Sequence, residues 1–252
     1  MSTSFKDTSY IISGGSGHLG MALVSSLLEL DANVVNLSSR NIVDSEINLN
    51  PRYFFFEIDL LDCDELKKIT PEIMSLNLPD LRGLVNFAAR SKRGVDLDAS
   101  AKDIVDTYSD VISPTWNAIS VFRKILTKNS SIVNLGSLWG SLSPDPRVYL
   151  DLGNEPSIGL PPAKSAISEL TRYLAVLLAQ DGIRINSVEP GWFPANRGTP
   201  REDYIAQISG RIPMGRIGKK EELISTFLFL LDPSSSYITG QNIRVDGGYS
   251  IW

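Results

Sequence analysis

Cysteine and histidine are almost missing from this chain of 252 residues, which carries one of each, Cys63 and His18. A lone cysteine excludes an internal disulfide, and one cysteine with one histidine cannot form the usual Cys/His cluster for zinc. Cys63 reads as a structural thiol. Long apolar runs are also lacking: no stretch could span a bilayer, and 42% hydrophobic against 21% charged residues is an ordinary globular balance, so a soluble protein with no membrane partner is expected. Basic residues cluster no further than pairs such as Lys67-Lys68 and Lys219-Lys220 in a chain of net charge −5, which argues against a nucleic-acid partner. The opening MSTSFKDTSYIISGG has an early lysine but no apolar stretch leading to a small-residue cleavage site, so the cytoplasm is the expected compartment.

What is present is an alternation. Short β-branched or apolar runs at 10–13, 33–38, 53–59, 81–88, 130–137, 183–190 and 242–248 predict strands, and helical spacing occupies 19–30, 62–76, 100–127, 162–181 and 219–231. Repeated βαβ units with right-handed crossovers imply an α/β fold, a Rossmann-like doubly wound parallel sheet covered on both faces. With no break in composition and no internal repeat, residues 1–252 are expected to form a single domain. The Gly/Pro-rich stretches 143–162 and 190–200 follow predicted strands, where ligand crevices form in open α/β sheets.

SGGSGHLG, residues 13–20, lies between the first predicted strand and the first helix. Glycines there permit a tight turn and a close approach to a pyrophosphate, and the first helical turn offers unsatisfied N–H donors. The order of residues resembles the T-G-x-x-x-G-x-G turn of the short-chain dehydrogenase/reductase family, with Ser13 and Gly14 at its start, Leu19 and Gly20 at its end, and His18 where that family has its second glycine. Further blocks resemble the family in the same order: Asp59-Leu60, Asn86-Phe87-Ala88-Ala89, Ser137 after I-V-N, Lys164 in a helix, Pro190-Gly191-Trp192, and GQNIRVDGG at 240–248. The resemblance implies a nicotinamide dinucleotide held by Gly14, Ser16, His18, Leu19, Gly20, Asp59, Leu60, Asn86, Ala88, Lys164, Pro190, Gly191 and Trp192.

The second predicted strand ends in Leu37-Ser38-Ser39-Arg40-Asn41, with no carboxylate before Asp44. A carboxylate would accept the ribose 2′-hydroxyl of NAD, whereas hydroxyls and a guanidinium suit the 2′-phosphate of NADP. Ser39 and Arg40 therefore favour NADP(H) over NAD(H).

The family's reaction, hydride exchange between nicotinamide and an alcohol or carbonyl, uses a tyrosine as proton donor one helical turn before the lysine, a serine that orients the substrate oxygen, and an asparagine on the preceding long helix. Ser137 and Lys164 match two of these. Leu160 stands at the tyrosine position and Val111 at the asparagine position. Tyr149, twelve residues after Ser137 in the long loop, is a candidate displaced donor, and Asp145, Asp151 and Glu155 are further loop acids. Residues Trp192 to Tyr204 are expected to form a lid over a small-molecule substrate, their rings either facing it or packing on the sheet. Two other readings stay open: a dinucleotide-binding relative without catalysis, and a non-redox enzyme on the same fold. The resemblance also implies a homodimer or homotetramer formed through the long helices and the last strand.

Overall fold

The strands and helices assemble into one parallel sheet with helices on both faces. The computed structural model describes residues 4–42, 44–90, 97–148, 157–193 and 202–251. Strands β1 (Ser9–Ser13), β2 (Asn33–Ser38), β3 (Tyr53–Glu57), β4 (Leu81–Asn86), β5 (Ser131–Leu135), β6 (Arg184–Pro190) and β7 (Asn242–Val245) lie in the order β3-β2-β1-β4-β5-β6-β7. Every neighbouring pair is parallel. The winding reverses between β1 and β4, and ligand crevices in such sheets open there, above the carboxyl ends of the strands.

Successive side chains on a strand face opposite ways, so β1 feeds two cores. Tyr10 and Ile12 pack with Leu23 and Leu27 of α1 (His18–Glu29) and Phe227 of α7 (Lys220–Leu231). Ile11 packs on the other face with Leu66 of α3 (Cys63–Ser75), Ile119 and Phe122 of α4 (Ala101–Phe122), and Leu174 of α5 (Leu160–Leu178). Because both faces are covered, β1, β2 and β5 are buried almost throughout, which is why they lack the apolar–polar alternation of a half-exposed strand and why their buried Asn36 and Asn134 are hydrogen-bonded.

Several boundaries differ from the spacing. α4 stops at Phe122 rather than 127, because Thr127 must turn its N–H to the carbonyl of Leu81 and lead the chain into β5. α5 starts two residues before the expected 162, since Pro161 and Pro162 lie in the first turn, where a missing N–H costs nothing. That shift puts Leu160 inside the helix, one turn before Lys164. Two short helices, α2 (Ser45–Leu49) and α6 (Glu202–Ser209), were not predicted; five and eight residues carry too little periodicity. Among the described residues no helix is long and apolar enough to cross a membrane.

Candidate active site

The turn between β1 and α1 is built around close backbone contacts. Gly14 has φ +76°, and a Cβ there would lie 2.7 Å from the backbone nitrogen of Ala88. A Cβ on Gly20 would lie 2.7 Å from the Cα of Gly15. Gly17 donates its N–H to the Gly14 carbonyl at 3.0 Å and caps α1, leaving the N–H groups of the first turn without partners inside the helix. His18 opens that helix, and both its ring nitrogens are buried with no hydrogen-bond partner among the described residues. A cradle closed to side chains, helix donors and an orphaned imidazole fit the diphosphate of a dinucleotide.

Gly14, Ser16, Ser39, Arg40, Asp59, Leu60 and Ala88, all anticipated, line one cleft of about 220 Å³ at the switch point. Ser39 and Arg40 are exposed on its rim. Asn86 lies below it, its amide spent inside the sheet: Ser13 donates to its Oδ1 at 3.1 Å and it donates to Asn134 at 2.8 Å, which donates in turn to Thr171 at 2.9 Å. The fully buried Asn36 ties the turn to the end of β2, donating to Ser16 Oγ at 2.9 Å and to Tyr53 at 2.8 Å while Ser38 donates back to it at 3.0 Å. Burial raises the Tyr53 phenol above its ordinary range, against the pull of the Asn36 hydrogen bond.

Arg90 also lines this cleft and was not anticipated; its guanidinium donates to Asp59 Oδ1 at 3.2 Å. Its position has a backbone cause. Pro114 in α4 has no N–H for the Asp110 carbonyl four residues earlier, and that carbonyl instead accepts the Arg90 N–H at 3.0 Å. Asn117, one turn later, holds the other wall by donating to the carbonyls of Leu60 and Leu61, both at 3.1 Å.

Ser137 and Lys164 are brought to the upper end of β5. Ser137 accepts the Trp139 N–H at 3.1 Å and caps the short 3₁₀ turn Leu138–Gly140. Lys164 is half-buried and donates from Nζ to the carbonyl of Leu135 at 2.9 Å, two residues before Ser137. Burial alone pushes the ammonium down to about 8. Leu160 and Val111 belong to a single apolar cluster with Ala163, Ile167, Tyr108 and Ile112. The two side chains that depart from the expected polar pattern thus pack together between α4 and α5. Tyr149, Asp151 and Glu155 lie outside the described residues, as do 194–201 of the expected lid. Asp145 is described and is no acid at neutral pH: hydrogen bonds from Arg147, with Arg211 also in contact, hold its carboxyl well below the usual range.

Pro190 ends β6, and Gly191 donates to the Val245 carbonyl at 2.9 Å, with no room for a side chain against Asp246. Trp192 packs edge-on against Trp139 at 5.7 Å and Tyr204 at 6.0 Å, so its ring is part of an aromatic cluster with Val148, Ile208 and Ile212. Just below, Glu189 is 2% exposed and accepts from Ser168 of α5 at 2.8 Å, Ser141 beside the 3₁₀ turn at 3.3 Å and Arg244 of β7 at 3.4 Å. This buried carboxylate joins the elements carrying Ser137 and Lys164, and no periodicity or motif signals it. Glu189→Ala would remove the acceptor that three donors share, so a loss of about 2–3 kcal/mol is expected in urea unfolding, with Glu189→Gln losing less.

Among the described residues no His, Cys, Asp and Glu group is arranged to hold a metal. A family model described as enoyl-(acyl carrier protein) reductase matches residues 18–250. A tropinone reductase homologue of Arabidopsis thaliana is 28% identical across 96% of the chain and 91% of its own length. The galactitol 2-dehydrogenase of Rhizobium johnstonii is 29% identical across 96% of the chain and 95% of its own length. A short chain dehydrogenase of Leptospira borgpetersenii, solved with bound NAD+, superposes with a TM-score of 0.87 at 29% identity, covering 99% of this chain and 95% of that one.

Proposed function

From the chain's membership of the short-chain dehydrogenase/reductase family, we propose that this oxidoreductase interconverts a small alcohol and its carbonyl compound with NADP(H), using a proton donor other than the side chain at position 160. The observation that carries the reading is the cleft at the switch point, where a turn closed to side chains, running up to the N-cap of α1 at Gly17, and Arg40 surround one space. The bound nucleotide supplies or accepts the hydride. Arg40 and Ser39 hold its 2′-phosphate, the N–H groups of Leu19 and Gly20 its diphosphate, and Lys164 its nicotinamide-side ribose. Ser137 orients the substrate oxygen, and Tyr149 of the 143–162 loop and Lys164 are the two ionisable groups that could supply its proton.

Titration of both nucleotides against the fluorescence of the four tryptophans tests the cofactor. NADPH is expected to bind more tightly than NADH, and Arg40→Ala to weaken NADPH alone by about tenfold, the value of a charge-assisted hydrogen bond. Equal affinities would remove the preference. A carbonyl panel with NADPH tests the reaction: binding without turnover would make the chain a non-catalytic relative, the reading favoured by the apolar pairing of Leu160 with Val111. The assembly is a homodimer or homotetramer through the outer faces of α4 and α5, which expose Val105, Trp116, Tyr173, Val176 and Leu177. Sedimentation as a 27.7 kDa species would exclude it.

A further inference from the structure

We propose that Lys164 itself is the acid–base group of this site, its ammonium giving the proton that the substrate oxygen takes up and its neutral amine taking one back in the reverse direction. The inference rests on the oxidoreductase reading. A phenol at position 160 would leave the lysine the task of stabilising a phenolate, but Leu160 is packed with Val111, Ala163 and Ile167 and no proton can be exchanged there. Glu189 of β6 also lies there, but as an acceptor held by Ser168, Ser141 and Arg244, so Lys164 is the ionisable donor that the described residues bring to the end of β5. Its ammonium has three N–H bonds and spends one on the Leu135 carbonyl, two residues from Ser137.

The ionisable groups on the elements packed around α5 leave it unpaired. Glu189 of β6 is held by Ser168, Ser141 and Arg244 of β7, and Tyr108 of α4 sits in the apolar cluster. Among the described residues no charge compensates the ammonium, and burial has brought its acidity near the working range of a general acid. During reduction the hydride and its electron pair pass from the reduced nicotinamide nucleotide to the carbonyl carbon. The carbonyl π pair moves to oxygen, and an O–H bond forms as an N–H bond of Lys164 breaks. The neutral amine regains its proton from water.

Lys164→Arg separates proton transfer from charge, since the guanidinium still binds ribose hydroxyls but releases no proton below about pH 12. The variant is expected to keep its NADPH affinity in the fluorescence titration and to lose about 10²–10⁴-fold in kcat. In the wild type the reduction rate should fall, and the oxidation rate rise, as pH passes about 8. Lysine-selective NMR of the free protein should show one resonance titrating there, absent from Lys164→Arg. An arginine variant with near-normal kcat and pH profile would overturn the assignment, as would a Tyr149→Phe variant that loses both activity and the alkaline limb. Those results would leave the oxidoreductase reading intact, whereas a wild type that binds NADPH and reduces nothing would end both.

Discussion

Gly20→Ala is expected to abolish nucleotide binding and to cost the fold about 1–3 kcal/mol, the usual range for overpacking. The added methyl would press on the Gly14 carbonyl and stand 2.7 Å from the Cα of Gly15, with only backbone atoms to yield. Separating them pushes α1 away from the turn, so the N–H groups proposed to meet the diphosphate lose their aim. Gly14→Ala should be at least as damaging, because a clash 2.7 Å from the Ala88 nitrogen adds to about 1 kcal/mol for a left-handed φ of +76°. Gly17→Ala is the control. It caps the same helix at φ −74°, and its nearest obstacle is the Gly14 carbonyl at 3.2 Å, so binding should survive a small shift. Urea unfolding and fluorescence titration of the three variants measure both effects, and wild-type affinity in Gly20→Ala would show that the turn is not the phosphate cradle.

The features legible in the sequence are those fixed by neighbours along the chain. Apolar runs separated by helical spacing locate all seven strands, and the glycines of residues 13–20 mark a turn that needs them. Leu160 stands out by its distance from Lys164 alone. What stays hidden depends on residues distant in sequence. Glu189 looks like any polar residue before a Pro-Gly pair until Ser141, Ser168 and Arg244 converge on it. Arg90 reaches the cleft because a proline 24 residues later frees a carbonyl for its N–H, a link without local pattern. Val111 and Leu160 read as two separate departures from a family pattern. Folded, they share one apolar cluster, in which Leu160 packs over the buried Val111.

Among the described residues no charge compensates the partly buried ammonium of Lys164, and Lys164→Met should therefore yield a protein that is inactive yet more stable at pH 7. The ammonium is pushed from its ordinary 10.5 to about 8 by burial alone. Converted at about 1.4 kcal/mol per unit, the fall from 10.5 to about 8 is about 3.5 kcal/mol, which solvent contact of the partly buried side chain reduces to about 2–3 kcal/mol. A methionine of similar length removes this penalty but leaves the Leu135 carbonyl without its donor, worth about 1 kcal/mol, so a net gain of about 1–2 kcal/mol remains. The pH dependence has a definite sign. Below about 8 folded and unfolded chains both hold the proton and the penalty is complete; between about 8 and 10.5 the unfolded chain binds more protons, so wild-type stability rises with pH through this group. The advantage of the methionine variant should accordingly shrink as pH approaches 10.5 and then reverse by the lost hydrogen bond. Urea midpoints of the two proteins at pH 7, 9 and 10 would show the curves converging; a variant less stable than wild type at pH 7, or a gap constant with pH, would mean that the lysine is solvated where it stands. A charge held at such a cost beside apolar neighbours is the pattern expected of a side chain whose chemistry matters more than its contribution to folding.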